Sequence, residues 1–182
     1  MIEESLPRRR FVCFGSSRVL SDEPAACHAE AVGRILAERG IDVLSGGYEG
    51  VMGAATRGAV GAGGASIGVV TPIFRGRTPH SQLSAVWTEP DYLARLSTLC
   101  RQADGFVALP GALGTLSEWT TAWCLMSIRE APGPLYLFED PWKPLVEAIT
   151  ALPEFDRGHL EHVHFVRRPD DLARALDDHP AT

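Results

Sequence analysis

The chain has 182 residues, 45% of them hydrophobic, which is enough for one domain with a sizeable core and short for two. Seventeen basic against 23 acidic side chains give a formal charge of −6, which suits solubility, excludes a broad nucleic-acid or anionic-membrane surface, and means that any phosphate bound is bound locally. The four cysteines, Cys13, Cys27, Cys100 and Cys124, form no CxxC pair, and the chain shows no signal-peptide core and no run of ~18 apolar residues, so we expect buried free thiols in a soluble cytoplasmic protein.

In chain order, residues 1–9 read as a polar tail, with Arg8 to Arg10 a solvated run that can alternatively meet an acidic partner. Phe11 to Phe14 is a buried first strand opening into Gly15-Ser16-Ser17-Arg18. Ligands gather at such carboxyl ends in parallel sheets, so these residues are candidate contacts, unless Ser21 or Asp22 merely caps the next helix. A helix over 23–39 ends at Gly40, and Ile41 to Leu44 is the second strand. SGGYEGVMG follows at 45–53, with four glycines in eight residues but neither a GxGxxG fingerprint nor a GK[ST] P-loop. Its backbone hugs either a ligand or a neighbouring element. A small-residue helix over 54–62, a strand over 66–70 and a loop over 71–84 come next. That loop is longer than most connections, and its Arg75 and Arg77 either reach a phosphate or are simply solvated. A helix over 91–103 places Leu93, Leu96, Leu99 and Cys100 on one face and Arg95 off that stripe, where a surface arginine is the plain reading.

Residues 104–124, DGFVALPGALGTLSEWTTAWC, read as strand, tight turn and helix, with the helix starting near Leu113. Unpaired backbone N–H groups and the positive end of the helix dipole make such a turn an anion seat. Gly111 and Gly114 allow close approach, Thr115 adds a hydroxyl, and Glu118 follows on nearly the same helix face. The competing reading is a capping box, Thr115 with Glu118 three residues on. Trp119 and Trp123 read as core or interface packing rather than a stacking platform. Strands at 135–138 and 163–166 and helices at 142–152 and 170–176 complete a strand–helix alternation that predicts a parallel, doubly wound α/β sheet in a single domain, 1–182. His159, His162 and His164 lack an acidic or thiol partner at ligand spacing, so we assign no metal.

Three pieces together resemble the LOG (Lonely Guy) family: FGSS at 14–17, SGGYEGVMG at 45–53 and LPGALGTLSE at 109–118. The family's GGxxGxMG pattern falls on Gly46, Gly47, Gly50, Met52 and Gly53, and its PGGxGTxxE pattern on Pro110, Gly111, Gly114, Thr115 and Glu118. Its essential arginine, in a segment resembling MHxRK, falls on Arg95 when counted back from Asp104. Tyr92, Leu93 and Leu96 replace the Met, His and Lys of that segment, and Ala112 replaces the second glycine of PGG. Were position 112 to need φ > 0, alanine would cost about 1 kcal/mol.

The resemblance implies a Rossmann-like, three-layer α/β/α fold and a cytokinin riboside 5′-monophosphate phosphoribohydrolase, which splits a nucleoside 5′-monophosphate into free base and ribose 5-phosphate. It implies Glu118 and Arg95 as the catalytic pair, with Glu118 stabilising charge at C1′ or activating water. The phosphate would lie on the N–H groups of Gly111, Ala112, Gly114 and Thr115, with Gly46, Gly47 and Gly50 on the ribose side and Gly15 and Ser16 completing the substrate-binding set. It implies no cofactor, a homodimer, and a small-molecule nucleotide rather than nucleic acid or membrane as partner. The alternative is a non-catalytic carrier of a nucleotide or of molybdenum cofactor on the same fold. The family's older label, lysine decarboxylase, finds no lysine in a pyridoxal-phosphate pattern.

Overall fold

The computed structural model describes residues 8–178, so most of the expected tail lies outside the described residues. The apolar runs of the strands follow from burial on both faces of one sheet. In β1 (Arg10–Phe14), Phe11 and Cys13 pack into the cluster formed with α1 (Pro24–Glu38), α2 (Val51–Gly61) and α6 (Pro169–Asp178). The alternate residues Val12 and Phe14 pack into the cluster formed with α3 (Tyr92–Arg101), α4 (Leu113–Ser127) and α5 (Glu139–Thr150). The result is three layers, helices on either side of the sheet.

Seven strands, β1, β2 (Asp42–Ser45), β3 (Ser66–Val70), β4 (Ala85–Thr88), β5 (Gly105–Ala108), β6 (Leu135–Phe138) and β7 (Val163–Val166), lie in the order β4-β3-β2-β1-β5-β6-β7. Every pairing is parallel. The chain winds outward from β1 to β4, returns to lay β5 beside β1, and winds outward again. This is the doubly wound arrangement expected from the alternation and the Rossmann-like fold that the family resemblance implies. The switch point lies between β1 and β5, where Phe14 pairs with Ala108, and the carboxyl ends of both strands open on the same side.

Four details differ from the sequence reading. β4 is an additional strand: it is an edge, with three of its four residues exposed, and so carries no apolar run to betray it. α2 starts at Val51, three residues before the expected start, because Gly50 (φ 77) turns the chain and Val51 to Gly53 form its first turn. On α3, Leu93 is 74% exposed, while Arg95 is buried beside Leu96, Leu99 and Cys100, so the inward face is shifted round the helix. Cys13 and Cys100 are buried as expected, but Cys27 and Cys124 are exposed, on the outward faces of α1 and α4. Trp119 and Trp123 are core residues. Among the described residues no helix is long and apolar enough to cross a membrane, and no group of three His, Cys, Asp or Glu is placed to hold a metal ion.

Candidate active site at the switch point

The three glycine-bearing loops converge above the gap between β1 and β5, and Ser16 joins them. Its N–H donates to the Pro110 carbonyl at 3.2 Å, and its carbonyl accepts from Val51 N–H at 2.9 Å. The loops enclose a cavity of about 360 Å³, within the roughly 300–1,000 Å³ of small-ligand sites. Gly15, Ser16, Ala112, Gly114 and Thr115 line it, as do Arg95 and Glu118.

Ala112 is the N-cap of α4, with extended backbone (φ −114, ψ −154), so it replaces glycine there without conformational cost. No side chain caps this helix, and the N–H groups of its first turn precede any intrahelical acceptor. With Ala112 at the cap, Thr115 and Glu118 do not make a capping box. Gly114 has open space where a Cβ would stand, so a ligand can come down onto the helix start.

The Glu118 carboxylate turns instead to Arg95. Arg95 Nη1 donates to Glu118 Oε1 at 3.2 Å and Arg95 Nε to the Val69 carbonyl at 2.7 Å, with the arginine 3% exposed and the glutamate 8%. Burial raises the Glu118 carboxyl above its ordinary value, against the opposing pull of the Arg95 charge and hydrogen bond. A carboxyl whose proton affinity is raised, held by a fixed cation at the cavity floor, is equipped for charge stabilisation or proton transfer.

The remaining glycines lie behind the cavity wall rather than on it. A Cβ on Gly46 would come 1.8 Å from Arg95 Nη2, one on Gly50 2.4 Å from the Ser16 carbonyl, and one on Gly111 2.2 Å from Thr115 Oγ1. Gly47 (φ 76) is pressed against Gly68. The absence of a side chain at Gly46, Gly50 and Gly111 thus leaves the space that Arg95, Ser16 and Thr115 occupy.

A model of the SLOG cluster4 family matches residues 11–127. The chain belongs to that family. It is 30% identical over 190 aligned positions to a probable cytokinin riboside 5′-monophosphate phosphoribohydrolase of Oryza sativa subsp. japonica, covering 98% of this chain and 76% of that one. It is likewise 30% identical to the cytokinin riboside 5′-monophosphate phosphoribohydrolase LOG7 of Arabidopsis thaliana, over 98% of this chain and 86% of that one. These relatives bear out the LOG resemblance. In fold, the molybdenum cofactor binding protein of Rippkaea orientalis superposes with a TM-score of 0.78 at 21% identity, over 97% of this chain and all of that one. At that identity the likeness concerns the SLOG fold alone.

Residues outside the motifs also reach the site of this SLOG chain. Phe74 and Arg77, from the loop over 71–84, line the cavity with Tyr48, Met52 and Tyr92, whereas Arg75 does not. Tyr92, in the place of the family's Met, donates its hydroxyl hydrogen to Ser117 Oγ at 3.0 Å. For Phe74 and Arg77 the sequence signal was the length of the 71–84 loop and its arginines, whereas Tyr48, Met52 and Tyr92 lie in segments already matched to the family.

Proposed function

We propose that the protein hydrolyses the N-glycosidic bond of a nucleoside 5′-monophosphate, releasing free base and ribose 5-phosphate. The observation that carries this reading is the buried Glu118–Arg95 pair at the floor of a cavity whose rim is an uncapped helix start. The 5′-phosphate rests on the N–H groups at Leu113 to Thr115, and binding energy spent there orients the ribose. As the C1′–N bond breaks, its electron pair leaves with the base, which takes up a proton from solvent, and the proton that Glu118 accepts during the attack is later released to solvent. Glu118 faces the positive charge developing at C1′ and receives a proton from the attacking water. Arg95 keeps the carboxylate aimed and meets the negative charge of the departing base. The curated relatives, named as phosphoribohydrolases, support this assignment. With them come the expected homodimer and cytoplasmic location, and we read 1–182 as one domain.

The carrier reading predicts binding without turnover and has no use for a carboxyl of raised proton affinity buried against arginine. Incubation with AMP, GMP, CMP, UMP, IMP and isopentenyladenosine monophosphate, scored for free base and ribose 5-phosphate, decides between the two. We expect base release; its absence with every nucleotide, while a phosphate-bearing ligand still binds, would establish a carrier.

The packing behind Arg95 gives a second expectation. Gly46→Ala forces the guanidinium away from both Val69 and Glu118, since the new Cβ would overlap Nη2. A shift of about 1 Å at a positioning group costs on the order of 10²-fold in rate. Steady-state kinetics should show that loss mainly in kcat.

A further inference from the structure

The helix start at the cavity rim has no side-chain cap, so α4 lacks the bonds that usually steady its first turns. Helix ends left in that state fray. Glu118 nevertheless stands on the second of those turns, within reach of an arginine that belongs to another helix. What steadies α4 there comes from outside it.

The neighbouring helix α3 is well anchored. Its N-cap residue Asp91 accepts from Ala94 N–H through Oδ1 at 2.8 Å, Thr98 Oγ1 donates to Glu89 Oε1 at 2.7 Å, and Arg95 Nε reaches the Val69 carbonyl of β3. Among the described residues two hydrogen bonds cross from α3 to α4. One is the contact of Arg95 with Glu118, and the other runs from the Tyr92 hydroxyl to Ser117 Oγ. The two lie side by side, because Tyr92 is three residues before Arg95 and Ser117 directly precedes Glu118. Tyr92 also lines the cavity, in the place where the family carries a methionine that has no hydroxyl to offer.

We propose that Tyr92 is a positioning residue: through Ser117 its hydroxyl locks the start of α4 to α3 and so sets the contact between Glu118 and Arg95. For its bearing on rate the proposal rests on the nucleotide reading above, which it deepens by a residue outside the two glycine motifs. Arg95 is fixed from the sheet through Val69, so loosening α4 moves the carboxylate away from the guanidinium. A carboxylate that wanders is off its line to C1′, and the loss falls on kcat. It also changes its proton affinity. Burial raises the Glu118 carboxyl while the Arg95 charge and hydrogen bond oppose that rise. The other titratable group coupled to Glu118 is Cys100 on α3, whose thiol is pushed up to about 12 by burial and by the Glu118 charge and so stays protonated across the acid range. A looser contact therefore weakens the Arg95 pull alone, and the Glu118 midpoint moves upward.

The test labels glutamate with carbon-13 at Cδ and follows the Glu118 carboxyl by NMR titration of the full chain, its resonance identified by its loss in Glu118→Gln. Wild type, Tyr92→Phe, Ser117→Ala and the double variant are compared, together with kcat and KM on the six nucleotides of the panel above. Tyr92→Phe keeps the ring against the cavity, and Ser117→Ala places a strong helix former on α4, so both should fold. We expect the midpoint to move up in each single variant and no further in the double, because the two hydroxyls act as one tie. Each single variant should lose roughly fivefold in kcat, with KM changed by less than about twofold. A midpoint at its wild-type position in either variant, with only the melting temperature lowered, would mean that the pair merely packs, and overturns the proposal. Undiminished kcat in both variants overturns it too and leaves the hydrolase reading standing. Shifted midpoints in a wild-type background that turns over none of the six nucleotides would sustain the tie while sinking that reading.

Discussion

Glu118→Gln is expected to lower kcat by roughly 10³-fold while nucleotide affinity stays within a fewfold of wild type. The substitution keeps the volume of the side chain and an oxygen that can accept from Arg95 Nη1, so the cavity floor keeps its shape. It removes the negative charge, which is what a positive C1′ needs. The raised proton affinity of Glu118 adds a signature in pH. The reaction requires the ionised carboxylate, so the acid limb of the kcat/KM profile should have its midpoint above the ordinary 4.5 and should vanish in the variant. Stability carries the same sign. The folded chain binds this proton more tightly than the unfolded one, so the stability contributed here is greatest at low pH and declines as pH rises through 4.5 toward the folded value. A melting series over the acid range should show that slope in wild type and not in Glu118→Gln. A variant that turns over as fast as wild type would remove Glu118 from the mechanism.

Arg95→Met should damage both activity and stability. It deletes the bond to the Val69 carbonyl and the contact with Phe74, and leaves a buried carboxylate without its cation. Removing one member of a buried ion pair costs about 3–5 kcal/mol, on the order of 10 °C in a chain of this size. The cost is partly relieved where Glu118 can take up a proton, so the destabilisation should grow with pH. Adding Glu118→Gln to Arg95→Met should recover part of the melting temperature, because the orphaned charge is gone, and none of the turnover. A double variant no more stable than Arg95→Met would mean that the pair does not couple energetically.

Close packing around the cavity accounts for why several motif glycines are glycines at all. Gly46 makes room for Arg95 Nη2, Gly111 for Thr115, and Gly50 for the Ser16 carbonyl. These positions hold the floor and rim of the cavity in register, and Gly15, Ser16, Ala112, Gly114 and Thr115 are among the residues that line it. Ala112 illustrates the difference. The loop there is extended and its side chain is exposed, so a residue with a Cβ serves as well as glycine.

By itself the sequence determined the α/β alternation, the parallel sheet and the three glycine-bearing turns that follow its strands, because each is written in local patterns. Apolar runs of four or five residues mark strands buried on both faces, and Gly40, Gly50 and Pro110 punctuate the chain through their own backbone preferences. The tertiary structure alone decided that β4 closes the sheet edge, since pairing with β3 rather than any apolar run makes it a strand. It alone decided that Arg95 is buried: its acceptors are Val69 and Glu118, 26 and 23 residues away, and no helical stripe drawn on α3 could reveal them. The same holds for Tyr48, Phe74 and Arg77, which meet only because the loop over 71–84 is tied back to Gly47 and Tyr48. Periodicity reports which residues avoid water, whereas a site is built where strand order brings distant loops together, and that order is fixed by the packing of the whole sheet.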